Sequence, residues 1–191
     1  MAKLYFRYGA MGASKTANML MVRYNYIERG QEVVLLKPSC EKRDGQMTIK
    51  SRAGLEAECL YVEIFLDDFF TNPYKYACIL VDEAQFLTKG QVDALATIVD
   101  DYNIPVICYG LKTDFQSHLF EGSKRLLELA NVIEEIPTIC WCGKKAIMNA
   151  RVIDGQMVDE GSQILLGGNE SYTSLCRKHY RAKNLGKKKK K

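Results

Sequence analysis

The chain has 191 residues, 47% hydrophobic and 26% charged, which is enough for one domain with a real core and too apolar for a disordered segment. The net charge is +4, but the run Lys187–Lys191 supplies five positive charges and leaves the remainder at −1, which argues against a broad phosphate-tracking surface and so against a nucleic-acid partner. No apolar run is long enough to span a bilayer, and Met-Ala-Lys-Leu-Tyr leads straight into a strand pattern without a secretory apolar region, so no membrane partner and a cytoplasmic location are expected.

In chain order, Leu4, Tyr5, Phe6 and Tyr8 form a short apolar and aromatic strand pattern. Gly9-Ala10-Met11-Gly12-Ala13-Ser14-Lys15-Thr16 follows, then a helical pattern through Arg29 closed by Gly30. Strand, glycine-containing turn, Lys-Thr and helix is the layout of a phosphate-binding loop. Such a turn aims backbone N–H groups at one anion, and the helix adds its positive end. Lys15 would reach the β- and γ-phosphates of ATP, and Thr16 would offer a hydroxyl to Mg²⁺. Ser14 stands where the pattern G-x-x-x-x-G-K-[ST] has its second glycine, and a residue with a Cβ resists positive φ there.

Val33–Leu36 reads as a buried strand, so strand, helix and strand make a parallel crossover unit. Ser39–Arg52 reads as a loop or irregular hairpin, Leu60–Phe65 as a further strand, and Asn72-Pro73 as a turn. Tyr76–Val81 is an apolar strand ending in Asp82-Glu83. Thr88 and Gln91 have the spacing of a capping box, opening a helix with Val92, Leu95, Ala96, Val99 and Tyr102 on one face. Ile104–Tyr109 is the next strand, ended by Gly110; Ser123 caps a helix through Ala130, and Val132–Ile136 is one more strand. The alternation predicts an α/β fold, a mostly parallel sheet flanked by helices, over residues 1–137. After Pro137 a small β-rich unit over 138–182 is expected, with strands over Ala146–Ile153 and Gln163–Leu166, and then a disordered lysine-rich tail over 183–191.

Two further groups of residues carry chemistry. Asp82 and Glu83 close a buried strand, and in open α/β sheets ligands bind beyond the carboxyl ends of the strands, where Gly9–Thr16 also lies. An apolar strand ending in Asp suits Mg²⁺, and the adjacent Glu83 suits a proton acceptor. The bland alternative is two carboxylates at the start of a helix. Cys140, Cys142, Cys176 and His179 form two ligand pairs, C-x-C and C-x-x-H, whose three thiolates and one imidazole suit a closed, structural Zn²⁺ site. Cys78 and Cys108 lie in apolar strands and read as core residues, and His118 as an exposed loop residue. A loop, an acid pair and a zinc ribbon also fit a nucleic-acid-dependent ATPase; the near-neutral body speaks against it.

Five segments share order and spacing with a known family: Gly9–Thr16, Leu80–Leu87, Tyr109–Phe115, Cys140–Gly143 and Gly167–Tyr172. With the ending Cys176-Arg177-Lys178-His179-Tyr180, they resemble the bacterial branch of the type II, zinc-containing thymidine kinases from Ala2 to about Tyr180. The resemblance implies transfer of the ATP γ-phosphoryl group to the 5′-hydroxyl of thymidine. It implies Glu83 as proton acceptor, and Asp82, Glu83, Ala84 and Gln85 as a second nucleotide-binding segment beside Gly9–Thr16. It places Met11, Arg43, Phe86, Phe115, Gly167, Gly168, Asn169 and Tyr172 on the thymidine side, the last four on a lasso closing over the nucleoside. It also implies a homotetramer inhibited by thymidine triphosphate. Ser14 departs from the glycine most members carry.

Overall fold

The computed structural model describes residues 1–41, 45–163 and 171–186, with the side chain of Ser171 outside the description. The elements are β1 Leu4–Tyr8, α1 Lys15–Ile27, β2 Val33–Lys37, β3 Thr48–Lys50, β4 Glu56–Glu58, β5 Leu60–Tyr61, α2 Val62–Thr71 and β6 Cys78–Val81. Then come a single turn Ala84–Phe86, α3 Lys89–Tyr102, β7 Val106–Gly110, α4 Glu121–Leu129 and β8 Val132–Glu135. The C-terminal part holds β9 Thr138–Ile139, β10 Lys145–Ala146, β11 Met148–Ile153, β12 Gln156–Val158, β13 Ser171–Leu175 and α5 Arg177–Arg181.

Six strands form one sheet in the order β5-β2-β6-β7-β1-β8, every neighbouring pair parallel. Every residue of the central strands β6 and β7 is buried, as expected for parallel strands covered on both faces. One face packs Phe6, Leu36, Ile79, Val81 and Cys108 against α2, α3 and α4; the other packs Leu35, Leu80, Ile107 and Tyr109 against Met19 and Leu20 of α1. Cys78 and Cys108 are core thiols, and burial pushes both up, Cys78 to about 12. His118 is exposed, as expected. The α/β expectation therefore holds. The capping box is also present, with Thr88 Oγ1 accepting from Gln91 N and Gln91 Oε1 accepting from Thr88 N.

Two local expectations are overturned. Only Leu60–Tyr61 of the expected strand over Leu60–Phe65 is extended; the rest opens α2. Val62, Phe65, Leu66 and Phe69 recur at helical spacing and are all buried, so the 3.6-residue period prevails over the β-branched and aromatic look of the segment. Ser123 does not cap α4. The helix begins at Glu121 behind Phe120, and Ser123 is fully buried inside it, its Oγ donating to the carbonyl of Leu111 at 2.5 Å. Gly122 allows this approach, because a Cβ there would lie 2.4 Å from the carbonyl oxygen of Ala84. The Ser39–Arg52 segment forms half of the antiparallel β3–β4 hairpin, with residues 42–44 outside the description. The expected strand over Ala146–Ile153 breaks at Ile147; that over Gln163–Leu166 lies outside the described residues from 164 on, and the tail expected as disordered over 183–191 from 187 on, whereas Lys183 N and Asn184 N donate to the carbonyls of Tyr180 and His179.

Beyond Pro137, β9 pairs with β10, and β12-β11-β13 form an antiparallel three-stranded sheet. Cys140, Ala146, Ala150, Leu175 and Cys176 make a separate small core there.

Candidate active site and metal centre

The loop after β1 and the carboxylates after β6 meet at the carboxyl edge of the sheet. Thr16 Oγ1 donates to Asp82 Oδ2 at 2.9 Å, and the other Asp82 oxygen accepts from the backbone N–H of Glu83 at 3.0 Å. Lys15 Nζ folds over the loop and donates to the carbonyls of Gly9 and Ala10 at 3.2 and 3.1 Å. Gly9 N is tied to Gly110 O at 3.2 Å, which anchors the loop to the end of β7. The loop turns through Gly12 at φ +73 and Ser14 at φ 55. Ser14 thus does adopt the left-handed conformation, and as N-cap of α1 it makes no compensating side-chain hydrogen bond.

A left-handed L-residue costs roughly 1–2 kcal/mol. Replacing Ser14, whose side chain is exposed, with glycine is therefore expected to stabilise the protein by about 1 kcal/mol, part of the relief being offset by the looser unfolded chain. A melting temperature raised by about 2–4 °C, together with a lower KM for ATP, is the expected result. An unchanged melting curve and unchanged KM would show that the loop holds no such strain.

Asp82 is 4% exposed, and burial, reinforced by the charge of Glu83, pushes its carboxyl up to about 7 against the pull of the Thr16 hydroxyl, the Glu83 N–H and Lys15. The folded state therefore holds this proton more tightly than the unfolded chain, so stability is lost as pH rises from the ordinary carboxylate range through about 7. An asparagine at this position would accept from Glu83 N and donate to Thr16 Oγ1. Asp82→Asn is expected to melt higher than the wild type without nucleotide or Mg²⁺, by a margin smallest near pH 4 and full above about pH 7. A margin independent of pH would contradict this assignment.

Glu83 holds φ 49, an uncommon conformation for a non-glycine residue that clusters at functional sites. Gln85 is 2% exposed; its Nε2 donates to Glu83 Oε2 and its Oε1 accepts from Leu111 N at 2.9 Å. Phe86 is half-buried, edge-on to Phe120 at 5.7 Å between centroids.

The small C-terminal sheet grips the segment after β7. Asn149 is buried, with Oδ1 accepting from Met11 N and Nδ2 donating to Thr113 O, both at 2.8 Å. Arg151, 1% exposed, lays its guanidinium 3.8 Å from the ring centre of buried Phe115 and donates to the hydroxyl of Tyr172 at 2.7 Å. Gln163 Nε2 donates to Asp114 Oδ2 at 2.8 Å, and the Tyr180 hydroxyl donates to Phe115 O. Asn149, Arg151, Gln163 and Tyr180 escaped the sequence reading. A signal existed for two of them: Asn149 and Arg151 are polar residues two apart on one face of a strand whose other face is apolar. Arg43, Gly167, Gly168 and Asn169 lie outside the described residues.

The ligand atoms of Cys140, Cys142, Cys176 and His179 all lie within 4.8 Å of one another. His179 Nδ1 is 3.4 Å from the sulfurs of Cys140 and Cys176. A tetrahedral Zn²⁺ with the usual bond lengths sets N···S at about 3.6 Å, which these two distances match, and the three thiols and one imidazole are the donor types such a site uses. Burial alone would raise the Cys140 thiol, but the N–H groups of Cys142 and Cys176 and the His179 ring bring it down to about 6. The turn closes with Gly143 N donating to Cys140 O at 2.8 Å. Trp141 stacks on His179, with centroids 4.2 Å apart.

The sequence profile of the family described as Thymidine kinase matches residues 2–180. The chain belongs to the thymidine kinase family. It is 50% identical over 184 residues to a thymidine kinase of Lactococcus lactis, covering 94% of this chain and 97% of that one. It is 52% identical over 185 residues to a thymidine kinase of Lactiplantibacillus plantarum, covering 94% and 96%, and 47% identical over 189 residues to one of Coxiella burnetii, covering 95% and 96%. Membership in this family makes the chain a nucleoside kinase, and kinase chemistry implies ATP. No helix among the described residues is long and apolar enough to cross a membrane.

Proposed function

We propose that the chain transfers the γ-phosphoryl group of ATP to the 5′-hydroxyl of thymidine, and that the rim joining Gly9–Thr16 to Asp82-Glu83 is where it does so. The observation that carries this reading is the Thr16–Asp82 hydrogen bond at 2.9 Å, which brings the phosphate loop and the acid pair to one point. The backbone N–H groups of residues 9–16 and the first turn of α1 receive the phosphates. Lys15 exchanges its carbonyl partners for phosphate oxygens. Thr16 and Asp82 offer hard oxygen donors to Mg²⁺, which neutralises phosphate charge when bound. Glu83 takes the proton as the 5′-oxygen bonds to phosphorus and the bond to the ADP oxygen breaks, ADP leaving with the electron pair.

The residues assigned to thymidine are Met11, Arg43, Phe86, Phe115, Gly167, Gly168, Asn169 and Tyr172. The cluster Cys140, Cys142, Cys176 and His179 holds a structural Zn²⁺. The nucleotide-binding domain spans 1–137 and the zinc-bearing lasso domain 138–182. The assembly is a cytoplasmic homotetramer under feedback from thymidine triphosphate. Met21, Tyr24 and Ile27, exposed on α1, give such an assembly apolar surface to bury.

A product assay with the four natural deoxynucleosides and ATP-Mg²⁺ tests the reading. Thymidine monophosphate is the expected product. Deoxyuridine should be used less well, because one methyl group is worth only about 1–3 kcal/mol. ATP hydrolysis that responds to single-stranded DNA and not to thymidine would overturn it.

A further inference from the structure

Gln85 sits in the turn Ala84–Phe86 after β6, inside a segment whose resemblance marks it for the nucleotide. Its amide is engaged elsewhere. Oε1 accepts from Leu111 N at 2.9 Å, and because a backbone N–H can only donate, the amide cannot be turned round. The NH₂ end must then face Glu83, where it donates to Oε2. Gly110 completes the arrangement: a Cβ there would lie 2.7 Å from Gln85 Oε1, 3.0 Å from Gln85 N and 3.3 Å from Ala84 N. Its φ is not positive, so what β7 needs from this residue is the missing side chain rather than glycine's freedom. A side chain anchored to the end of a central strand therefore holds one oxygen of the Glu83 carboxylate.

We propose that Gln85 is a positioning residue that fixes the Glu83 carboxylate for proton transfer, with Gly110 leaving the room it needs. This deepens the reading of Glu83 as proton acceptor and rests on it. The consequence falls on turnover rather than on substrate affinity, because a misaligned acceptor is felt only as the proton moves.

Three variants test it by steady-state kinetics with thymidine and ATP, alongside melting curves. Gln85→Met removes donor and acceptor. Gln85→Glu keeps an acceptor for Leu111 N, and with it the fold, but sets a second carboxylate beside Glu83. Gly110→Ala presses first on the Gln85 amide and less closely on the backbone N–H groups of Gln85 and Ala84. All three are expected to lose about 10–100-fold in kcat with both KM values unchanged. A raised KM for ATP with kcat preserved would make Gln85 a nucleotide ligand and overturn the proposal. Lower melting temperatures with kcat preserved would reduce it to a packing role and overturn it equally. A wild type that makes no thymidine monophosphate would remove the functional reading itself, whereas an active wild type with fully active variants removes only this inference.

Discussion

Glu83→Gln is expected to lower kcat for thymidine phosphorylation by about 10²–10⁴-fold while leaving the KM for ATP unchanged. The substitution is nearly isosteric. The new side chain would still accept from the Gln85 amide through its carbonyl oxygen, and the backbone N–H of this residue would still donate to Asp82, so the turn after β6 keeps its shape. What disappears is the capacity to take up a proton. Rapid-quench measurement of product in a single turnover separates the chemical step from release and reads the loss directly. Full turnover in this variant would remove Glu83 from its role, and the proton acceptor would have to be sought elsewhere on the rim.

The second large effect belongs to the cysteine cluster. Cys176→Ser, or removal of metal by a chelator, is expected to lower the melting temperature by at least ~10 °C, since a closed Zn²⁺ site contributes folding free energy outright. Among the described residues the small core around it has five buried members, two of which are the candidate ligands Cys140 and Cys176, so little apolar surface is left to hold the unit when the site is broken. Trp141, the single tryptophan, stacks on His179 and reports locally: its emission should shift on chelation and recover with one equivalent of Zn²⁺. A purified protein without metal that melts like the untreated one would contradict a structural role for these four residues.

The legible parts of the sequence were those where local chemistry and global fold agree. The apolar strand ending in Asp82-Glu83, the turn at Gly9–Thr16 and the Thr88–Gln91 box each state their structure over a few residues, and parallel crossovers bring the first two to one edge. The segment Leu60–Phe65 misled because two β-like residues precede a helical stripe whose fourth member, Phe69, lies beyond the window that reads as a strand. Ser123 misled because the cap and the buried hydroxyl look identical in sequence; only the carbonyl of Leu111, which tertiary packing brings near, tells them apart. For Asn149, Arg151 and Gln85 the residues themselves left a trace in the sequence, but their partners did not. Each works by reaching a backbone or ring from a different part of the chain, and spacing along one segment carries no trace of that partner.

The cysteine cluster was legible for the opposite reason. Each ligand pair carries its spacing within a few residues, and the pairing of β11 with β13 brings the two pairs together.

In the proposed reaction a triphosphate held by residues 9–16 and a 5′-hydroxyl held against Glu83 face each other across one rim. A crystal structure with thymidine and a non-hydrolysable ATP analogue tests it most directly. The γ-phosphate is expected over Lys15 and the 5′-hydroxyl within hydrogen-bonding distance of the Glu83 carboxylate, in line with the bond to be broken. A nucleoside bound with its 5′-oxygen away from Glu83, or a triphosphate seated off the Gly9–Thr16 loop, would contradict it.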